Sequence, residues 1–119
     1  MKSMLGVVVL LLSGCAAQFA AVGQTTEDVP VTGQLIAENK GGEGILSVNI
    51  LSASYGTCSG SAKKDTITSI LTRVPLKCSG GANGRADITS DYLNGRDIID
   101  YRVGNERGRI ISGLSLQTL

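Results

Sequence analysis

Residues 85–116, RADITSDYLNGRDIIDYRVGNERGRIISGLSL, are the stretch that decides the fold. Apolar and polar side chains alternate along it with a period close to two, which indicates β-strands that bury one face. Turn residues interrupt the alternation at 94–95 and at 104–108, and Asn94-Gly95 is the strongest short signal for a β-hairpin. The stretch therefore predicts a three-stranded meander, with strands at 85–92, 96–103 and 109–116.

The same period continues upstream as far as Pro30, with turn residues between short apolar runs. It predicts strands at 31–38, 45–52 and 55–59, a turn at 39–44 and a loop at 60–64. Residues 65–74 alternate less cleanly, because Ile67, Ile70 and Leu71 also suit one face of a helix.

Length and composition fit one small β domain. The chain has 119 residues, 16 of them Gly, and only 3% aromatic residues. This is typical of short aliphatic strands joined by tight turns. We predict an all-β fold of about six or seven mostly antiparallel strands, a small sandwich or partly closed barrel that occupies residues 30–119.

The first fifteen residues have the layout of an export signal. One cation, Lys2, precedes an apolar run from Met4 to Leu12, which is shorter than the ~20 residues that span a bilayer. Leu12-Ser13-Gly14-Cys15 resembles the lipobox of bacterial lipoproteins. The resemblance implies removal of residues 1–14 by the type II signal peptidase and lipidation of Cys15, with palmitate among the acyl chains. An ordinary secretory signal or a buried helix is the alternative.

Lipidation would anchor the protein to a membrane, because two or more acyl chains bind a bilayer stably. In a Gram-negative host, Ala16 after the lipidated Cys implies the outer membrane. Residues 16–29 are small and polar without a clear period, which predicts a flexible tether. A short helix at 16–22 is the alternative.

Cys58 and Cys78 remain once Cys15 is assigned to lipid, and an even pair in an exported domain predicts a disulfide. The pattern 56–60, GTCSG, followed by 75–84, PLKCSGGANG, also resembles short uncharacterised bacterial envelope proteins with a two-Cys all-β domain. That resemblance implies no activity.

Charge and composition restrict the chemistry. Lys and Arg number 11 against 10 Asp and Glu, and this near-neutrality argues against nucleic acid or anionic lipid as the main partner. The chain contains no His, the commonest general base and metal ligand. We expect no cofactor, no metal and no catalysis.

Three weaker signals were weighed against structural explanations. The Gly-rich residues 79–84 fit a turn better than an anion loop, because no Lys-Ser/Thr ending follows. Arg85, Arg96 and Arg109 each follow a Gly at a predicted strand start. A meander places the first and third at one sheet edge and the second at the other, which favours solvated charges over an anion site. Four carboxylates could form a hydrolytic pair, but they fall on predicted solvent faces or beside turns: Asp87, Asp91, Asp97 and Asp100.

These features favour a membrane-anchored envelope lipoprotein that binds or supports another envelope component without catalysis. One alternative is a small inhibitor or exclusion factor that blocks an extracytoplasmic enzyme or receptor with its loops at 39–44 and 79–84. A carboxylate-based hydrolase is the other alternative, and it predicts that an Asp→Asn change abolishes a measurable turnover.

Overall fold

The computed structural model describes residues 16–40, 43–64, 71–91 and 94–113. These residues form eight antiparallel strands rather than the six or seven expected, and the predicted all-β class is confirmed. None of them belongs to a helix long and apolar enough to cross a membrane. The strands are β1 (Ala16–Thr25), β2 (Pro30–Lys40), β3 (Glu43–Leu51), β4 (Thr57–Lys64), β5 (Leu71–Cys78), β6 (Asn83–Asp91), β7 (Arg96–Val103) and β8 (Glu106–Gly113).

The strands close into a barrel in which each strand pairs with the next and β8 pairs with β1. Because the chain runs up and down, its connections alternate between two ends. We call the end where β1 begins the proximal end. The distal end carries four connections, at 26–29, 52–56, 79–82 and 104–105.

Alternating side chains fill the barrel interior. Along β5, exposed and buried residues alternate over the whole strand, as a period of two requires. Eight strands enclose a space that side chains just fill. The buried apolar side chains are Ala21, Val31, Leu35, Leu46, Val48, Ile50, Cys58, Val74, Leu76, Cys78, Ala86, Ile88, Ile99, Tyr101, Val103 and Ile110.

The tether predicted at 16–29 and the alternative helix at 16–22 are both wrong, because Ala16–Thr25 form β1. This strand pairs with β2 along nearly its whole length and with β8 near its distal end. Where β1 pairs with β8, its inward positions carry only small side chains, at Ala21, Gly23 and Thr25. The barrel thus begins at Ala16 rather than at Pro30, while the predicted signal and Cys15 lie outside the described residues.

One further segment differs from expectation, and the structure decides another that the sequence left open. Residues 60–64, predicted as a loop, extend β4, and residues 71–74 belong to a strand rather than a helix. At Gly60 the chain passes very close to β5: an added Cβ would lie 1.8 Å from the carbonyl oxygen of Pro75. Glycine is therefore required there, although glycine in a sequence usually indicates a loop. Residues 41–42, 65–70 and 114–116 of the predicted elements lie outside the described residues.

The junction of β4 and β5 has the shortest ladder in the barrel wall that the structure describes. Only two residue pairs form the ladder there, whereas every other pair of neighbouring strands has at least five. One of these pairs is Cys58 and Cys78, which form the predicted disulfide. In the chain-entropy model a cross-link over this separation contributes roughly 3 kcal/mol. The disulfide thus reinforces the junction that has the fewest ladder pairs.

Pro75 explains why this ladder is short. Backbone groups of successive residues in a strand point to opposite neighbours. The N–H of Cys78 donates to the carbonyl oxygen of Ala82 on the β6 side, 2.8 Å away. Three residues earlier, the nitrogen of Pro75 faces β4, and proline has no N–H to donate. The ladder therefore stops before it reaches this position.

Candidate anion-binding site

Three arginines lie side by side on the outer surface near the distal end. Arg85 of β6 is directly opposite Arg102 of β7, and Arg102 is directly opposite Arg107 of β8. All three are exposed. Cβ atoms in such pairs are about 4.5–5.5 Å apart, and like charges placed there destabilise the sheet. We call this set the arginine row; its three Cα atoms span about 10 Å, two strand spacings.

A tight turn positions two of the three arginines in the row. Gly104 has a φ of 53°, a left-handed conformation, and forms a two-residue turn with Asn105. That turn length places Arg102 directly opposite Arg107. The N–H of Thr26 also donates a 2.9 Å hydrogen bond to the carbonyl oxygen of Arg107. The start of β8 is thereby held between its own hairpin and the β1–β2 turn.

The Gly-rich turn positions the third arginine. Gly81 has a φ of 96°, and its N–H donates to the carbonyl oxygen of Cys78, 2.9 Å away. The turn predicted within residues 79–84 is therefore confirmed at 79–82. Because Cys78 is also cross-linked, the turn leads from a fixed point directly into β6 and Arg85.

A second row of charges crosses the same wall two residues nearer the proximal end. Arg73, Asp87, Asp100 and Arg109 follow one another on β5, β6, β7 and β8. Arg73 Nε lies 2.9 Å from Asp87 Oδ1, and Arg109 Nε lies 2.7 Å from Asp100 Oδ1. The hydrogen bond that Arg109 donates to Asp100 raises the pKa of Arg109. We call this set the mixed row, because each carboxylate has its own arginine.

The arginine row has no such neutralising partners. Within the described part of the chain, none of its members forms an ion pair. An open groove of about 470 Å³ lies over the row and over part of the mixed row, and it extends to Thr26 of the β1–β2 turn. Its lining contains four arginines and two aspartates, a net charge of +2. This groove can attract an anion through charge and can also bind one with guanidinium donors.

Arg96 lies apart from this groove, as predicted. It is near the proximal end, with its Nε 3.2 Å from Asp91 Oδ2. Hydrogen bonds from the Asn94 side chain, and then from Arg96, lower the pKa of Asp91. The arginines that follow Gly therefore do not form one cluster. Arg85 instead forms the row with Arg102 and Arg107, neither of which the sequence analysis considered.

The interior below the arginine row is held by a buried carboxylate. Glu106 accepts hydrogen bonds from the backbone N–H groups of Ala53 and Ser54, at 3.0 and 2.9 Å, and from the hydroxyl of Tyr101, at 2.5 Å. Burial, and then the contact with Glu106, raises the pKa of Tyr101 well above its ordinary value. The 52–56 loop is thereby fixed across the distal end, beneath the strands that carry Arg102 and Arg107.

The four carboxylates considered for hydrolysis have separate environments. Asp87 and Asp100 are directly opposite each other, but each is bonded to an arginine, as is Asp91. Asp97 lies opposite Ser112 on the inward-facing side of β7 and is half-buried. Within the described ranges, no three Cys, Asp or Glu side chains form a group that could hold a metal ion.

No protein-family model matches the chain, and no curated protein and no solved structure matches it either. A function must therefore be argued from the molecular surface itself.

Two of the three residues in the row were not predicted, because the sequence pattern indicates a five-residue turn at 104–108. That turn would begin the last strand at Arg109 and leave Arg107 in a loop. The dipeptide Gly104-Asn105 is the signal that could have found the row, because it suits a two-residue hairpin turn. With that turn, Arg102 and Arg107 become a cross-strand pair.

Proposed function

We propose that this protein is a lipid-anchored, non-enzymatic component of the bacterial envelope, and that it binds another envelope component through the arginine row. The anchor rests on the lipobox resemblance at Cys15 and the binding surface on the geometry of the barrel wall. The observation that carries the proposal is the direct juxtaposition of Arg85, Arg102 and Arg107 without an ion-pair partner among the described residues.

Physical chemistry makes this juxtaposition informative. Cross-strand pairs of like charge reduce the stability of a sheet, and the wall carries carboxylates only one row away. Departures from a locally favourable arrangement are expected at functional sites. An anionic partner converts the repulsion among the guanidinium groups into attraction, so binding offsets the cost to the fold.

The position of β1 orients this surface relative to the proposed anchor. Strand β1 begins at Ala16, the residue after Cys15, and Thr25 ends it at the distal end. Ten residues at about 3.3 Å each, tilted by roughly 40° as in other barrels, rise roughly 20–25 Å. A lipid on Cys15 would therefore hold the proximal end against its membrane and present the arginine row on the side away from it.

Metabolic labelling with palmitate tests the anchor. We expect the wild-type chain to carry label and to fractionate with membranes, and Cys15→Ser to lose both properties. Label that persists in the variant, or an unlabelled wild-type chain, would remove the lipoprotein half of the proposal.

Photocrosslinking in intact cells tests the binding surface. A photoreactive residue at Thr26, beside the row, should give a defined adduct in the wild type. The adduct should disappear when Arg85, Arg102 and Arg107 are all changed to Gln. The matched control changes Lys63, Lys77 and Arg96 to Gln, which removes the same charge from residues that do not line the groove, and should retain the adduct. Equal adducts in both triple variants would refute the row as the contact surface.

A further inference from the structure

We infer that the arginine row is a site for a compact group that carries two or three phosphates. This inference rests on the proposed function and specifies the chemistry of its ligand. Three arginines lie on adjacent strands in one line across the wall, and their Cα atoms span about 10 Å.

The density of positive charge favours phosphate over carboxylate. A phosphate monoester carries about −1.5 to −2 charges and three acceptor oxygens, so two or three such groups match three arginines over this span. The guanidinium fork donates two parallel hydrogen bonds to a phosphate. A carboxylate group carries only one charge, so a carboxylate ligand would need three such groups, one over each arginine, within the same short distance.

The surroundings of the row limit the size of the ligand. Asp87 and Asp100 lie one row nearer the proximal end, and each is already paired with an arginine. A ligand that extends that way would therefore meet no net positive charge. The whole chain has a net charge of only +1. A long polyanion such as nucleic acid is held by charge accumulated over many contacts, which this molecule lacks. The ligand is therefore confined to the row.

The row also lies at the end of the barrel opposite to the start of β1. A membrane that holds Cys15 would not reach it. The phosphates then come from one of two sources: a soluble oligophosphate compound, or a phosphorylated headgroup in a membrane that faces the distal end.

Calorimetric titration of the mature protein, purified from membranes in non-ionic detergent, tests the chemistry, with inorganic tripolyphosphate as the probe and citrate as the carboxylate comparison. We expect tripolyphosphate to bind and citrate to bind far more weakly. The Arg102→Gln change should lower the affinity for tripolyphosphate roughly tenfold or more, because it removes charge-assisted hydrogen bonds at the centre of the row. Arg96→Gln is the matched control and should leave the affinity unchanged. Added salt should weaken binding.

Three results would overturn the inference: no binding of tripolyphosphate, equal binding of citrate, or equal loss of affinity in Arg102→Gln and Arg96→Gln. A cooperative unfolding transition in the same detergent verifies that the Arg102→Gln variant is folded. If titration fails while the Thr26 adduct still depends on the row, the phosphate chemistry is wrong and the proposed function stands.

Vesicles distinguish the two sources of phosphate. The lipidated protein is inserted into phosphatidylcholine vesicles and mixed with phosphatidylcholine vesicles that contain cardiolipin, whose headgroup has two phosphates. If the protein bridges the two kinds of vesicle, light scattering rises. A rise that Arg102→Gln abolishes supports a membrane that faces the distal end. Tripolyphosphate binding without bridging supports a soluble compound.

Discussion

The arginine row and the mixed row lie on the same wall, one step apart along the strands, and they have opposite charge arrangements. In the mixed row, two aspartates stand between two arginines and each makes a short ion pair. In the arginine row, Arg102 has an arginine opposite it on both sides. Both rows have an arginine on β8, but on β6 and β7 the mixed row has aspartates where the arginine row has arginines, so the two rows differ in the charges that these two strands contribute.

This difference separates a contribution to stability from a contribution to binding. Exposed ion pairs such as those of the mixed row stabilise a fold by up to about 1 kcal/mol each. Adjacent like charges have the opposite effect and destabilise the fold. We therefore regard the mixed row as part of the wall and the arginine row as a surface for a ligand, and the two are distinguishable by mutation.

The largest effect is expected from a charge reversal at the centre of the arginine row. Arg102→Glu replaces two repulsive cross-strand pairs by two attractive ones, and should raise the free energy of unfolding by about 1 kcal/mol. For a domain of this size that is a rise of several degrees in Tm at low salt. Urea unfolding of wild type and variant measures it. A variant less stable than the wild type would show that the row already has a neutralising partner.

A smaller effect is expected from the same change made in each row on β8. Arg107→Gln relieves repulsion and should stabilise the barrel by a few tenths of a kcal/mol, whereas Arg109→Gln breaks an ion pair and should destabilise it by a similar amount. The two positions are two residues apart on one outward face, so each variant is the control for the other. Shifts of the same sign in their urea midpoints would mean that the rows do not differ energetically.

Salt should reduce both of these differences. Near 1 M ionic strength the Debye length falls to about 3 Å, which screens exposed charges. The stabilities of Arg107→Gln and Arg109→Gln should therefore converge on that of the wild type as NaCl is raised. Differences that persist in high salt would point to packing by the aliphatic parts of these side chains instead of charge.

The smallest effect is expected at a third charged site, the Asp91–Arg96 pair near the proximal end. The pKa of Asp91 is below the ordinary 3.8, chiefly through the hydrogen bond from Asn94. A lowered pKa in the folded state contributes stability above the unfolded pKa, and that contribution is lost as the pH falls through the folded pKa. Asp91→Asn should thus be less stable than wild type near neutral pH and equal to it in strong acid. Asn94→Ala should show a weaker difference in the same pH window, and a pH-independent difference would contradict the assignment.

The parts of the fold that sequence could predict are those with large inward side chains. Residues 96–103, with Ile99, Tyr101 and Val103 on one face, coincide with β7. Strand β1 escaped prediction because its inward positions near β8 are Ala21, Gly23 and Thr25, which give no hydrophobic alternation. Small side chains are needed there because an eight-stranded barrel has little interior space, and only the closed barrel reveals that need.

The disulfide was predictable because only Cys58 and Cys78 remain once Cys15 is assigned to the expected lipobox, which leaves one pairing. The arginine row was not predicted, because charges become neighbours through strand register, and register depends on turn length. An error of three residues in the turn after Val103 separated Arg102 from Arg107. Residues that meet across strands are thus harder to read from sequence than those that share one strand.

The short junction between β4 and β5 also bears on association through strand edges. A closed barrel has no free strand edges, and free edges are templates on which other chains add strands. If the barrel opens at this junction, β4 and β5 become two such edges, and the proline at position 75 protects only one stretch of one of them. The Cys58–Cys78 cross-link, placed at the distal end of both strands, therefore keeps an aggregation-prone sheet from forming, in addition to stabilising the monomer.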